Sequence, residues 1–248
     1  MKFYIRTLLF SSFIFFVYSC SSSNKNLDKP NVILIMADDL GQECLGTYGS
    51  KVYKTPNLDR LAEDGVKFNN CFATPLCSPS RVSIMTGKYN YRNYEVFLHI
   101  DPDEITFGNL FKDAGYSTAI AGKWQLGGDG ETIKSLGFDE YCVNNIGKPK
   151  ELIREANGRY AFPLMYQNGR FLDDDEVRNK YGPDIILDFV CDFIDKKKNK
   201  PFFDDTECSR SANANAYDLF RDFISRRFIY NCRQRKCLDD MDGFLTYL

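Results

Sequence analysis

Three short groups of residues in this sequence have the make-up of reaction machinery. The first is Cys77-Ser78-Pro79-Ser80-Arg81. Proline suits the first turn of a helix, where its missing N–H is not needed, and serine suits the cap before it. Pro79 and Ser78 therefore predict a helix with Cys77 at its N-terminus. Unpaired N–H groups and the helix dipole favour anions there, and Arg81, one turn inside, can reach back with a planar charged fork. Such a setting lowers the pKa of a thiol; the alternative is a structural cysteine beside a capped helix. The second group is Asp38-Asp39. Adjacent carboxylates repel unless a cation lies between them, and a hard ion such as Ca²⁺ takes several oxygens of this kind. The same residues ahead of Gly41 also fit a solvated turn. The third is Gly122-Lys123-Trp124, which sets a cation where a strand ends.

The elements that must position these groups follow from the pattern around them. Asn31 to Ala37 is a continuous apolar run, which suits a strand buried on both faces of a parallel sheet. Thr55-Pro56 opens a helix to Asp64, closed by Gly65, and Val66 to Phe72 alternates as a strand. Pro79 to Thr86 is a second helix, stopped by Gly87, and Phe107 to Ala114 a third, stopped by Gly115. Tyr116 to Ala121 reads as a strand that delivers Lys123. From Pro183 onward Ile186, Val190 and Ile194 recur at helical spacing, and Pro201-Phe202-Phe203 begins a further strand. The predicted class is α/β, a mostly parallel central sheet flanked by helices, whose sites form outside the carboxyl ends of the strands.

Composition narrows the chemistry. Over 248 residues, 44% are hydrophobic and 27% charged, a globular balance, and the net charge of −2 gives no basic field for nucleic acid. With His99 the single histidine, mechanisms needing two imidazoles are excluded; His99 itself is read as a surface or packing residue. The nine cysteines show no metal-knuckle spacing, and Cys191 falls on an apolar helix face as a small core residue. Residues 1–19 read as a signal peptide: Lys2 and Arg6, then an apolar run from Leu8 to Val17. The run closes on Val17-Tyr18-Ser19-Cys20, which resembles a bacterial lipobox and implies lipidation of Cys20. Residues 20–30 are then a polar tether, and the expected location is the bacterial cell envelope, at the periplasm or outer membrane, held through the lipid.

Cys77-Ser78-Pro79-Ser80-Arg81 resembles the signature of the type I sulfatases, in the alkaline-phosphatase-like superfamily. Residues 31–41, NVILIMADDLG, resemble their metal-binding first strand. Residues 55–92 resemble the stretch around the signature, AGKWQLGG at 121–128 resembles their G-K-W-H-L-G segment, and Pro201-Phe202-Phe203 their next core strand. The likeness spans residues 31–203 and implies a catalytic domain there. It implies that a maturation enzyme converts Cys77 to formylglycine, whose hydrated aldehyde attacks the sulfur of a sulfate ester and later collapses to release sulfate. It further implies that Asp38, Asp39 and the modified Cys77 bind Ca²⁺, that Arg81 and Lys123 act in catalysis, and that Lys123 and the residue at 125 bind the sulfate. The expected substrates are sulfated sugars or aryl sulfates.

The pattern also departs from that family. Gln125 stands where the family has histidine; an amide donates a hydrogen bond but cannot shuttle a proton. Nothing after Phe203 resembles the family's downstream Asp-Asn ligands, so the core is expected to be incomplete at the C-terminus, with an open sheet edge where Phe203 ends. Residues 204–248 are read as an unassigned tail that does not continue the strand, consistent with a frameshift. Two alternatives therefore stand beside the sulfatase reading. One is a phosphonate or phosphodiester hydrolase of the same superfamily, and the other a truncated sulfatase-like lipoprotein that is either inactive or a ligand binder.

Overall fold

The computed structural model describes residues 29–144, 146, 159–209 and 245–247, with the backbone alone at 207–209 and 245–247. Its sheet has seven strands: β1 (Val32–Asp38), β2 (Ser117–Lys123), β3 (Glu140–Asn144), β4 (Tyr166–Gln167), β5 (Arg170–Phe171), β6 (Phe202–Ser209) and β7 (Leu245–Tyr247). The order across the sheet is β5-β4-β3-β2-β6-β1-β7. β3, β2, β6, β1 and β7 run parallel, while β4 and β5 close one side as an antiparallel hairpin. This is the mostly parallel α/β sheet that the apolar runs predict.

Helices cover both faces. α1 (Pro56–Asp64), α2 (Cys77–Thr86) and α3 (Phe107–Asp113) precede β2; α4 (Gly130–Ser135) links β2 to β3; α5 (Asp174–Val177) and α6 (Gly182–Lys197) lead to β6. On one face α6 sends Ile186, Val190 and Ile194 into a core with Ile33, Ile35, Ala119 and Ala121. On the other, Val82 and Met85 of α2 pack with Leu34, Ile120, Trp124 and Phe203. Phe203 stacks on Phe111 of α3 with ring centroids 4.1 Å apart. Burial of such side chains is worth about 1.5–3 kcal/mol each, and it presses both helix layers onto the sheet so that the strand tips meet α2.

Two expectations about elements need correction. Val66 to Phe72 is not a strand: the segment is irregular, with Val66, Phe68 and Phe72 exposed. Alternation makes a strand only where a sheet edge can take its N–H groups, and β7 lies along the outer side of β1. The strand that starts at Phe202 does not stop at Phe203; it runs to Ser209 and lies between β1 and β2, so it leaves no open edge there. Its main-chain pairing with both neighbours accommodates residues whose side chains the apolar pattern would never select.

Those side chains are Asp204 and Asp205, both buried. Strand periodicity sends them to opposite faces. Asp204 pairs in register with Ile33 and Ala119, and Asp205 with Leu34 and Ile120. Thr206 Oγ1 donates to Asp204 Oδ2 at 2.6 Å, while Oδ1 of each aspartate has no hydrogen-bond partner. Burial pushes the Asp204 carboxyl up to about 8, against the pull of Thr206, and the Asp205 carboxyl up to about 7, against the pull of Arg81.

Candidate active site

Asp38 and Lys123 are the last residues of β1 and β2, two strands that β6 separates. Their side chains nevertheless meet across the end of β6: Lys123 Nζ lies 2.6 Å from Asp38 Oδ2, with only 4% and 7% of the two side chains exposed. A pair so sheltered from water feels a far stronger attraction than a surface pair. Directly after β1, Asp39 takes φ 56°, and two residues after β2, Gln125 takes φ 49°. Left-handed backbone is uncommon in non-glycine residues and clusters at functional turns. Both chain reversals bring polar side chains to the sheet's carboxyl end.

α2 supplies the third part. Cys77 is its first residue, and the cap is Leu76, which makes no side-chain capping bond. Ser78 is thus not the N-cap that the sequence suggested. Its hydroxyl is buried and accepts from the Leu98 N–H at 3.3 Å, tying α2 to the following loop instead. The Cys77 thiol donates to Gln125 Oε1 at 3.7 Å, so the helix N-terminus and the turn after β2 touch through these two side chains. Arg81, 2% exposed, donates through Nη1 to the Trp124 carbonyl. Trp124 is itself held, fully buried, by its main-chain N–H on Asn144 O at 2.9 Å and its indole N–H on Gly127 O at 2.6 Å. The guanidinium therefore rests on a rigid mount.

Asp38, Asp39, Cys77 and Arg81 line one cleft of about 1220 Å³, with Phe68, Phe72 and Tyr89 along its walls. Lys123 and Gln125 join through their contacts with Asp38 and Cys77. All six predicted residues of the core site are thereby brought together; Cys20 lies outside the described residues. The lone histidine is elsewhere: His99 is half-buried against Gly127, where a Cβ would stand 3.7 Å from its Nδ1 and 3.0 Å from the Leu98 carbonyl.

The structure adds residues that no local pattern marks. Burial raises the Tyr160 phenol above its ordinary value; Arg159 pulls it down, and the Asp38 and Asp39 carboxylates push it further up. Tyr160 is thus within electrostatic reach of both aspartates, and Arg159 acts on Tyr160. No spacing rule links them to position 38; only the tertiary fold does.

For a Ca²⁺, Asp38 and Asp39 provide hard oxygens, but the fit is partial. Such an ion takes six to eight ligands. Among the described residues no group of three or more His, Cys, Asp or Glu side chains gathers around one point, and one Asp38 oxygen already bonds Lys123. For a matured cysteine the fit is good: Cys77 opens a ten-residue helix, faces the cleft and has an amide partner.

A model of the family described as Sulfatase matches residues 30–203, which hold every element of this site. The chain belongs to the sulfatase family. It is 34% identical to the N-acetylglucosamine-6-O-sulfatase of Bacteroides thetaiotaomicron over 189 residues, 74% of the chain and 31% of that protein. It is 47% identical to human steryl-sulfatase over 128 residues, 46% of the chain and 22% of that protein. Among solved structures, Ps i-CgsB in complex with k-i-k-neocarrahexaose superposes with TM-score 0.69 and 25% identity, over 88% of the chain and 57% of that structure. The chain thus spans about a third or less of the length of these two curated relatives.

Proposed function

We propose that this sulfatase hydrolyses sulfate esters of sugars or aryl alcohols, with Cys77 matured to formylglycine. The observation that supports the reading best is the meeting of Cys77, Arg81, Gln125 and the Asp38–Lys123 pair at one end of the sheet. The names of the bacterial relatives, which act on sulfated amino sugars, support a glycan substrate.

The residues divide the work by their chemistry. In its matured form position 77 supplies a hydrated aldehyde, an oxygen nucleophile with an internal exit that a serine would lack. Arg81, fixed by Trp124, offers a preorganised positive charge to sulfate oxygens, and such groups act strongly where water is excluded. Lys123 has three donors; one is on Asp38, and the others serve the sulfate. Gln125 can orient a sulfate oxygen through its amide N–H but cannot hand a proton to the leaving alcohol, a deficit of roughly 10²–10⁴ in rate. Asp38 and Asp39 are the side chains that would hold Ca²⁺. Pro79 and Arg81 are what a maturation enzyme would read. Cys20 would carry the lipid that keeps the chain on the bacterial envelope; among the described residues no helix is long and apolar enough to cross a membrane.

The test is co-expression with a formylglycine-generating enzyme, mass measurement of the peptide bearing residue 77, and turnover of an aryl sulfate. Conversion of Cys77 with turnover that disappears in Cys77→Ala is the expected result. An unmodified thiol overturns the reading. Hydrolysis of aryl phosphonate alone favours the phosphonate hydrolase instead, and sulfate binding without turnover favours a binder.

A further inference from the structure

Tyr89 and Tyr91 follow α2 closely, and the reaction just described does not use them. Both rings stand in solvent, 75% and 83% exposed, so neither adds to the core. They stack on each other nonetheless, with centroids 6.1 Å apart and planes 14° from parallel. The backbone that carries them is pinned to α2 on both sides of Tyr89. The Ser83 hydroxyl donates to the Lys88 carbonyl at 2.8 Å, and the Asn90 amide donates to the Pro79 carbonyl at 2.7 Å, two residues from Cys77. Asn93 Nδ2 donates to Thr86 Oγ1 at 2.7 Å, and the Arg92 N–H closes a short helical turn on the Tyr89 carbonyl at 2.9 Å. Fixing two large rings in water costs chain entropy and returns no burial on folding. A rigid, exposed aromatic surface of this kind gains when a ligand covers it.

Tyr89 lines the cleft that holds Cys77 and Arg81, and so do Asn69 and Asn70. A sugar ring has an apolar C–H face and a rim of hydroxyls. A bare aromatic face suits the first, and amides, which both donate and accept, suit the second. A wholly apolar alcohol has no use for the amides. We propose that Tyr89 is a binding residue for the sugar ring of a sulfate ester whose sulfate lies at Cys77 and Arg81, and that Tyr91 is a positioning residue for Tyr89. The proposal rests on the reading of the cleft as a sulfate site. It adds the side chain that separates a sulfated sugar from bare sulfate.

The experiment uses the full chain with Cys77 unconverted, so that no turnover disturbs the titration. Calorimetry compares N-acetylglucosamine 6-sulfate, phenyl sulfate and inorganic sulfate. Tyr89→Ala should weaken binding of the sugar sulfate on the order of tenfold, the scale of one aromatic contact, and leave inorganic sulfate unchanged. Tyr89→Phe, which keeps the ring face, should bind as wild type, and Tyr91→Ala should lose about threefold. Because both rings are exposed, thermal midpoints should stay in place. An unchanged sugar affinity in Tyr89→Ala overturns the proposal, and so does an equal loss for inorganic sulfate, which reports a disturbed α2 instead. A loss as large for phenyl sulfate assigns Tyr89 to an aryl group and overturns the sugar assignment. If wild type binds no inorganic sulfate, the sulfate reading fails, and the unsulfated sugar judges Tyr89 alone. Weaker binding of that sugar in Tyr89→Ala supports the ring contact, and equal or absent binding overturns it.

Discussion

β1 and β6 lie side by side in parallel, and β1 ends on one aspartate and is followed by another while β6 carries two within it, yet the two pairs are used in opposite ways. β1 keeps its interior apolar and places Asp38 at its tip, where Lys123 reaches it at 2.6 Å and Asp39 turns away toward the cleft. β6 places Asp204 and Asp205 near its start, one in each core, each with an oxygen that nothing bonds. At a strand tip a carboxylate can find a cationic partner from a neighbouring strand. In the middle of a sheet the main chain uses every neighbouring donor, so the carboxylate keeps its proton instead. Position along the strand decides whether the same residue type makes a site or a strain.

The broadest way to test that contrast is pH. The folded-state values of Asp204 and Asp205, about 8 and about 7, lie above their ordinary 3.8. A raised value means the folded protein holds protons that the unfolded chain releases, so this contribution to stability is complete below about pH 4 and is lost as pH rises through 7 to 8. Urea midpoints should therefore fall from pH 4 to pH 8, and a midpoint that climbs over this range would place both carboxylates in water. Next in size is Lys123→Met, which strands Asp38 as a buried unpaired charge and should cost about 3–5 kcal/mol in urea unfolding. A cost near zero would mean the strand tip is open to solvent. Asp204→Asn should act in the other direction, stabilising the fold by about 1–3 kcal/mol at pH 8 and flattening its pH dependence. Smallest, Thr206→Val removes the hydroxyl that bonds Asp204 and should cost about 0.5–1.5 kcal/mol, an effect that vanishes in the Asp204→Ala background, which has no acceptor.

The parts of the molecule legible in the sequence are those where local and global signals coincide. The run from Val32 to Ala37, the Thr55-Pro56 and Gly87 punctuation, and the spacing of Ile186, Val190 and Ile194 each name an element that the structure contains. The placement of Cys77, Asp38 and Lys123 was legible too, because each stands at the end of such an element, with Arg81 one turn inside α2. Reading failed where tertiary partners decide. Ser78 looks like a cap but serves Leu98, Val66 to Phe72 alternates without a sheet to join, and Asp204-Asp205 reads as the end of a strand although backbone pairing carries it on. Tyr160 comes within electrostatic reach of the aspartates only through the folding of a distant segment.

β6 fills the gap between β1 and β2 and is made well after both. A chain emerging from the ribosome can thus present Asp38, the Cys77 segment and Lys123 in succession long before the strand that draws them together exists. In that interval the sheet cannot yet bring the three together. The layout of the sheet in this sense makes the site one of the last parts of the fold to be completed.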